Sequence, residues 1–154
     1  MKVFTSSYQS PIGMLSLIGN EKSLLGIGMQ QNPSIQNINC NDLPIFAETK
    51  LWLDTYFSGN QPDFTPHIEL IGSNFQKKVW QELLKIGYGE TASYGNIAKR
   101  ICCKSAQAIG QAVGRNPLLI IVPCHRVIAA NRKPGGYSYG IERKIWLLEH
   151  EKKQ

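Results

Sequence analysis

At Ser73 the chain changes from one pattern to another, and that change limits the folds open to it. Residues 2 to 30, "KVFTSSYQSPIGMLSLIGNEKSLLGIGMQ", hold short apolar and β-branched clusters broken by Ser-Pro, Ile-Gly and Gly-Asn, the pattern of a meander of short strands. From Asp42 to Phe57, residues Leu43, Phe46, Ala47, Leu51, Leu53, Tyr56 and Phe57 recur at spacings of three and four, which predicts a helix capped by Asp42. "SGNQPDFTP" then reads as a linker.

The second half is written in helices. Ser73 and Gln76 fit a capping box, and Phe75, Val79, Trp80, Leu83 and Leu84 form an apolar face before "GYGE" stops the helix. Ser93 opens "YGNIAKRI", with Tyr94, Ile97, Ala98 and Ile101 on one side, and Ser105 caps "AQAIGQAVG", whose Ala106, Ile109, Ala112 and Val113 are expected to face inward. Two short helices joined by a tight turn make a helix-turn-helix. Ala108 and Gly110 give the second helix a thin profile, suited to close helix packing or to a DNA groove. "LLIIV" reads as a short buried strand or core segment, and "IERKIWLLEHEKKQ" as a helix with Ile141, Ile145 and Leu148 on one face. The fold class is therefore α/β in the α+β sense: a small β-rich N-terminal lobe with one or two helices, residues 1–70, and a helical C-terminal lobe, residues 71–154.

Charge divides along the same line. Residues 1 to 72 carry three lysines against six carboxylates, a balance of −3, and residues 73 to 154 carry fourteen Lys/Arg against five Glu, a balance of +9; together they give the net +6. A basic lobe of this kind suits a polyanion, although a solvated basic surface has the same composition. The longest aliphatic run is the five residues from Leu118 to Val122, so neither a membrane span nor a signal peptide is expected. Four cysteines are few for a disulfide scaffold of this size, which favours a reducing, cytoplasmic setting.

The stretch "IIVPCHRVIAAN" sets Cys124 beside His125. By itself the pair leaves a buried structural thiol, a metal ligand and a nucleophile all open. Zinc fits poorly, because neither Cys102-Cys103 nor Cys124-His125 has the gap that lets two side chains converge on one tetrahedral ion; no metal is expected. Cys40, Cys102 and Cys103 read as structural, and His67 and His150 as surface or capping residues. A cysteine hydrolase lacks its usual signatures and leaves the helix-turn-helix unexplained.

Taken in order, "FQKKVWQELLKI", "TASYGNIAKRI", "AVGRNP", "IIVPCHRVI", "GGYSYG" and "ERKIWLLEHE" resemble the O6-alkylguanine-DNA alkyltransferases across the whole C-terminal half. "SPIGMLSLIG" and "YFSGN" are similar in style to that family's non-catalytic lobe. The resemblance implies irreversible, stoichiometric transfer of a methyl or larger alkyl group from guanine O6, with O4-alkylthymine a further substrate, to Cys124. It implies no cofactor, a monomer, and as partner double-stranded DNA containing O6-alkylguanine; in a prokaryote the protein would be nucleoid-associated. A lesion-binding protein that recruits other repair machinery without transfer is the rival reading.

Roles follow by similarity. His125 deprotonates Cys124 through a water, Glu151 orients His125, and Asn116 braces the turn before the active-site segment. Tyr94 helps rotate the nucleotide and gives a proton to the base. The carbonyls of Cys124 and Val127 accept from the guanine amine, Ser138 donates its backbone N–H near O6, and Tyr137 walls the pocket beside Tyr139. The expected DNA-facing set is Ala106, Gln107, Ala108 and Gly110 of the recognition helix, with Arg115 and Arg126.

Two positions depart from the family pattern. Gln107 stands where the family places an arginine that fills the gap left by the flipped base; glutamine lacks the guanidinium charge and stacking plane. Slower or weaker lesion capture in duplex DNA is expected, with Gln107→Arg faster in single-turnover assays; equal rates would refute it. Tyr139 stands where many members have glycine, which predicts poor reaction with benzyl-sized adducts relative to methyl. Efficient debenzylation by the wild-type protein would contradict that expectation.

Overall fold

The computed structural model describes residues 2–29, 38–39, 43–131 and 135–152, so Cys40 and the Asp42 cap lie outside the described residues. The chain divides into two compact units, Met1–Ile71 and Gly72–Gln154.

The first unit is a four-stranded sheet in the order β3-β2-β1-β4, with one helix against it. Strands β1 (Phe4–Ser10) and β2 (Gly13–Gly19) pair antiparallel from Phe4↔Gly19 to Ser10↔Gly13, across a two-residue turn in which Ser10 Oγ donates to Gly13 O at 2.6 Å. β3 (Leu24–Gly28) follows an Asn turn: the Asn20 side-chain oxygen accepts from the N–H groups of Lys22 and Ser23, at 2.8 and 2.6 Å. β4 (Ile38–Asn39) adds parallel to β1. Leu15, Leu17, Leu24 and Ile27 of the sheet form a common core with Ile45, Phe46, Leu53 and Tyr56 of α1 (Pro44–Phe57). That helix starts at Pro44 with Leu43 as its N-cap and no side-chain cap bond, a correction to the expected start at Asp42; proline at the first helical position needs no N–H partner. Beyond the expected linker the chain returns to the sheet, where Leu24 N donates to His67 O at 2.8 Å and Glu69 N to Leu24 O at 3.1 Å.

The second unit is helical. α2 (Asn74–Leu83) begins with the predicted capping box between Ser73 and Gln76. It ends one residue sooner than its apolar pattern, so Leu84 is exposed and only Val79, Trp80 and Leu83 are fully buried. α3 (Tyr94–Arg100) has a second capping box, Ser93 with Asn96, and α4 (Ala106–Gly114) is capped by Ser105. The two pack together as the helix-turn-helix, and Trp80 Nε1 donates to Ala112 O at 2.8 Å, fixing α2 against α4. Ala106 is exposed, unlike the expected inward set of which Ile109, Ala112 and Val113 remain. It occupies the first residue of the helix, before the buried face begins.

Residues 118–122 are buried throughout but do not form a strand. The Asn116 side chain takes both ends of the segment: its Oδ1 accepts from Leu118 N at 2.9 Å and its Nδ2 donates to Val122 O at 2.7 Å. The backbone between is coiled tightly enough that Ile120 adopts φ +72°. A 3-10 helix (Cys124–Arg126) and β6 (Val127–Ile128) follow, and β6 pairs parallel with β5 (Ala92–Ser93), the strand that enters α3. In the closing helix, α5 (Ile141–Lys152), the face that carries Ile141, Ile145 and Leu148 is not the buried one. Lys144, Leu147 and Glu151 are buried, whereas Ile141 and Ile145 are 47 % and 38 % exposed and Leu148 is half-buried.

Candidate active site

Cys124 opens the 3-10 helix at the bottom of a cavity of about 310 Å³. The walls are Tyr94 from α3, Gly110, Val113 and Gly114 from α4, Asn116, and the loop residues Gly136, Tyr137, Ser138 and Tyr139. Close helix packing does not account for Gly110: a Cβ placed there would meet nothing within 4 Å, and the residue lines the cavity. Ser138 Oγ donates to Gly114 O at 2.7 Å and thereby ties the loop to the end of α4. Tyr137 and Tyr139 meet edge to face with centroids 5.7 Å apart.

Burial pushes the Cys124 thiol up from its ordinary value, opposed by hydrogen bonds from the Asn116 and Tyr137 side chains and by the Lys144 charge. Lys144 was not anticipated. Its ammonium donates to Val127 O at 2.6 Å and Gly136 O at 3.0 Å and lies 5.9 Å from the centre of the Tyr94 ring. Burial brings its pKa down to about 8, against the opposing charge of Cys124. Tyr94 and Tyr139 are both raised, first by burial and then by Cys124, so each stays a phenol able to donate.

Behind the thiol lies a buried ionic network. His125, Arg126 and Glu151 are 0 %, 9 % and 3 % exposed. Glu151 Oε2 accepts from His125 Nε2 at 2.5 Å and from Arg126 Nη2 at 3.2 Å, while its Oε1 accepts from Arg126 Nε at 2.8 Å and from Gly89 N at 3.1 Å. Arg126 Nη1 donates to Ile86 O at 2.8 Å. Burial acts to raise the Glu151 carboxyl, but the hydrogen bonds and charges of His125 and Arg126 outweigh it and hold the group well below the usual carboxylate range. His125 is lowered by burial, which the Glu151 contact only partly offsets, so the imidazole is neutral. A carboxylate can only accept, so Nε2 carries the proton; Nδ1, which has no hydrogen-bond partner among the described residues, keeps its lone pair.

The expected site residues fall into four groups. Cys124, Asn116, Tyr94, Tyr137, Ser138 and Tyr139 gather on the cavity, and His125 and Glu151 pair behind it. Val127 is buried, with its carbonyl already accepting from Lys144. Of the DNA-facing set, Ala106, Gln107 and Arg115 are exposed and Ala108 and Gly110 half-buried, but Arg126 is interior and engaged by Glu151, which removes it from the surface. The signal for Lys144 was available in the sequence as its spacing from Leu147 and Glu151, three and then four residues on one helix face.

Residues 74–153 match the 6-O-methylguanine DNA methyltransferase, DNA binding domain, and residues 3–70 match the ribonuclease-like domain of the same enzymes. The chain belongs to the O6-methylguanine DNA methyltransferase family. Among relatives of these methyltransferases, the methylated-DNA-protein-cysteine methyltransferase of Mycobacterium leprae is 45 % identical over 152 residues, covering 96 % of this chain and 92 % of its own. That of Methanosarcina acetivorans is 39 % identical, with 97 % and 98 % covered. The crystal structure of the Mycobacterium tuberculosis O6-methylguanine methyltransferase superposes with a TM-score of 0.89 at 43 % identity, covering 98 % of this chain and 93 % of the other. The same organism's OGT in complex with DNA gives 0.88 at 42 %, with 99 % and 94 % covered.

The depressed Glu151 carboxyl sets a pH dependence. Between its folded value and its ordinary 4.5 the unfolded chain binds the extra proton, so stability rises with pH there and is lost as pH falls through that window. Removing one partner of such a buried pair costs about 3 kcal/mol. Urea denaturation should therefore show Glu151→Gln less stable by about that amount at pH ~7, with the gap narrowing toward pH ~3. A gap independent of pH would contradict the network.

Proposed function

We propose that this protein repairs alkylated DNA directly, transferring the alkyl group from guanine O6 to Cys124 once per chain and without a cofactor. The observation that carries the reading is the buried thiol at the base of a cavity walled on one side by the second helix of a helix-turn-helix.

The chemistry is a displacement at saturated carbon. Sulfur attacks, the C–O6 bond breaks, and its electron pair departs with the guanine oxygen, so no tetrahedral intermediate needs stabilising. His125 Nδ1 takes the thiol proton through a bridging water, with Nε2 anchored on Glu151 for the purpose. Tyr94, kept neutral by burial, returns a proton to the base as negative charge develops on it. Lys144 stabilises the thiolate while it is protonated, in the range below its pKa of about 8. Asn116 holds the 118–122 segment in the coil that delivers Cys124 to the cavity. The thioether product has no easy route to hydrolysis, which limits each chain to one event.

The partner is duplex DNA carrying O6-alkylguanine, with the target base rotated out of the stack to reach the cavity. The exposed Lys99, Arg100, Lys104 and Arg115 around the helix-turn-helix suit phosphate contacts, which position a protein without reading sequence and weaken with salt. Among the described residues no helix is long and apolar enough to cross a membrane. A cytoplasmic location, nucleoid-associated in a prokaryote, and a monomeric state complete the reading.

Titrating a duplex containing one O6-methylguanine with increasing protein tests the proposal. Repair should plateau at one lesion per chain and vanish in Cys124→Ala. Continued turnover would point to a true catalyst, and tight lesion-dependent binding without repair would favour a recognition protein.

A further inference from the structure

The turn between α3 and α4 carries two thiols on adjacent residues, and neither lines the Cys124 cavity. Cys102 is exposed and Cys103 half-buried, and both are free. The end of α3 fixes their backbones. Cys103 N donates to Ala98 O at 2.9 Å and Cys102 N to Lys99 O at 3.2 Å, the paired bonds of a Schellman motif with Cys102 in the left-handed position at φ +57°. Glycine is the residue at ease there; a side chain costs about 1 kcal/mol. The second sulfur makes only a long contact, Cys103 Sγ to Ser105 O at 3.6 Å. Both thiols are thus presented on a fixed backbone without strong partners among the described residues.

Donor number and charge select the ligand. Two thiols fall short of the four donors a structural zinc requires, and among the described residues no cluster of three His, Cys, Asp or Glu side chains could hold a metal ion. The exposed Lys99, Arg100 and Lys104 beside the pair repel a soft dication. A trivalent arsenical meets neither obstacle: it is uncharged as arsenous acid or a hydrated arsenoxide, needs two sulfurs, and keeps its third substituent. We propose that Cys102 and Cys103 form a vicinal-dithiol site for trivalent arsenicals, closing a ring across the helix-turn-helix turn. Two As–S bonds form and two As–O bonds break, each thiol proton leaves with a hydroxide as water, and arsenic remains trivalent. The site depends on this turn alone and is independent of alkyl transfer.

The test uses the full-length protein and phenylarsine oxide, read by intact mass and peptide mapping. One phenylarsine group per chain should bridge Cys102 and Cys103, resist excess mercaptoethanol, and come off with 2,3-dimercaptopropanol. Cys102→Ser and Cys103→Ser should each bind at least about 100-fold more weakly, because the second bond of a chelate forms at high effective concentration. Cys40→Ser and Cys124→Ala should retain the adduct. The proposal fails if the monothiol strips the wild-type adduct, if either single serine variant keeps it, or if it maps to Cys40 or Cys124.

Discussion

A carboxylate buried in the protein interior has to be satisfied completely, and Glu151 organises the second unit by demanding it. Its two oxygens accept from His125, Arg126 and the Gly89 N–H, which fastens α5 to the 3-10 helix and to the loop after α2. Arg126 extends the connection to Ile86 O. Leaving any of these groups unpaired in a low-dielectric interior costs more than the pair itself contributes, so the arrangement is specific even if it is not strongly stabilising. One result is chemical: with Nε2 committed to Glu151, the neutral imidazole has a defined tautomer and a basic Nδ1.

The cavity and the network divide the work between them. Burial keeps the thiol and the tyrosines protonated in the resting protein, so Cys124 is not a freely reactive thiolate exposed to any electrophile. Asn116, Tyr137 and Lys144 act against that burial at the sulfur itself. A substrate that fills the cavity and aligns its carbon is what this balance favours, since alignment replaces the advantage that a permanently ionised nucleophile would bring. Lys144 also joins Val127 O to Gly136 O, so the cation near the sulfur holds the segment after Cys124 against the loop that forms the cavity wall.

Much of this was legible from residue types and spacing. The capping box at Ser73 and the serines Ser93 and Ser105 marked three helix starts, because their signal is local and chemical. Cys124, Asn116, Tyr94 and the Tyr137–Tyr139 loop came from motif order and gather on one cavity. What failed was inference from apolarity alone. In α5 the apolar residues Ile141 and Ile145 share a face, but pairing draws others inward: Glu151 to His125 and Arg126, and Lys144 to the carbonyls of Val127 and Gly136. Arg126, expected among the DNA-facing residues, is interior and paired with Glu151. Of the two readings of "LLIIV", strand or core segment, the second holds, because the Asn116 amide takes backbone groups at both ends. Pairing decided each of these positions, and pairing between distant residues leaves little trace in hydrophobic periodicity.

The most direct test of the account is peptide mapping by mass spectrometry after stoichiometric incubation with DNA containing one O6-methylguanine. A single added methylene is expected on the peptide that contains Cys124, located on its sulfur, and absent from Cys124→Ala. A methyl group on Cys40, Cys102 or Cys103, or repaired DNA with no modified cysteine, would contradict it.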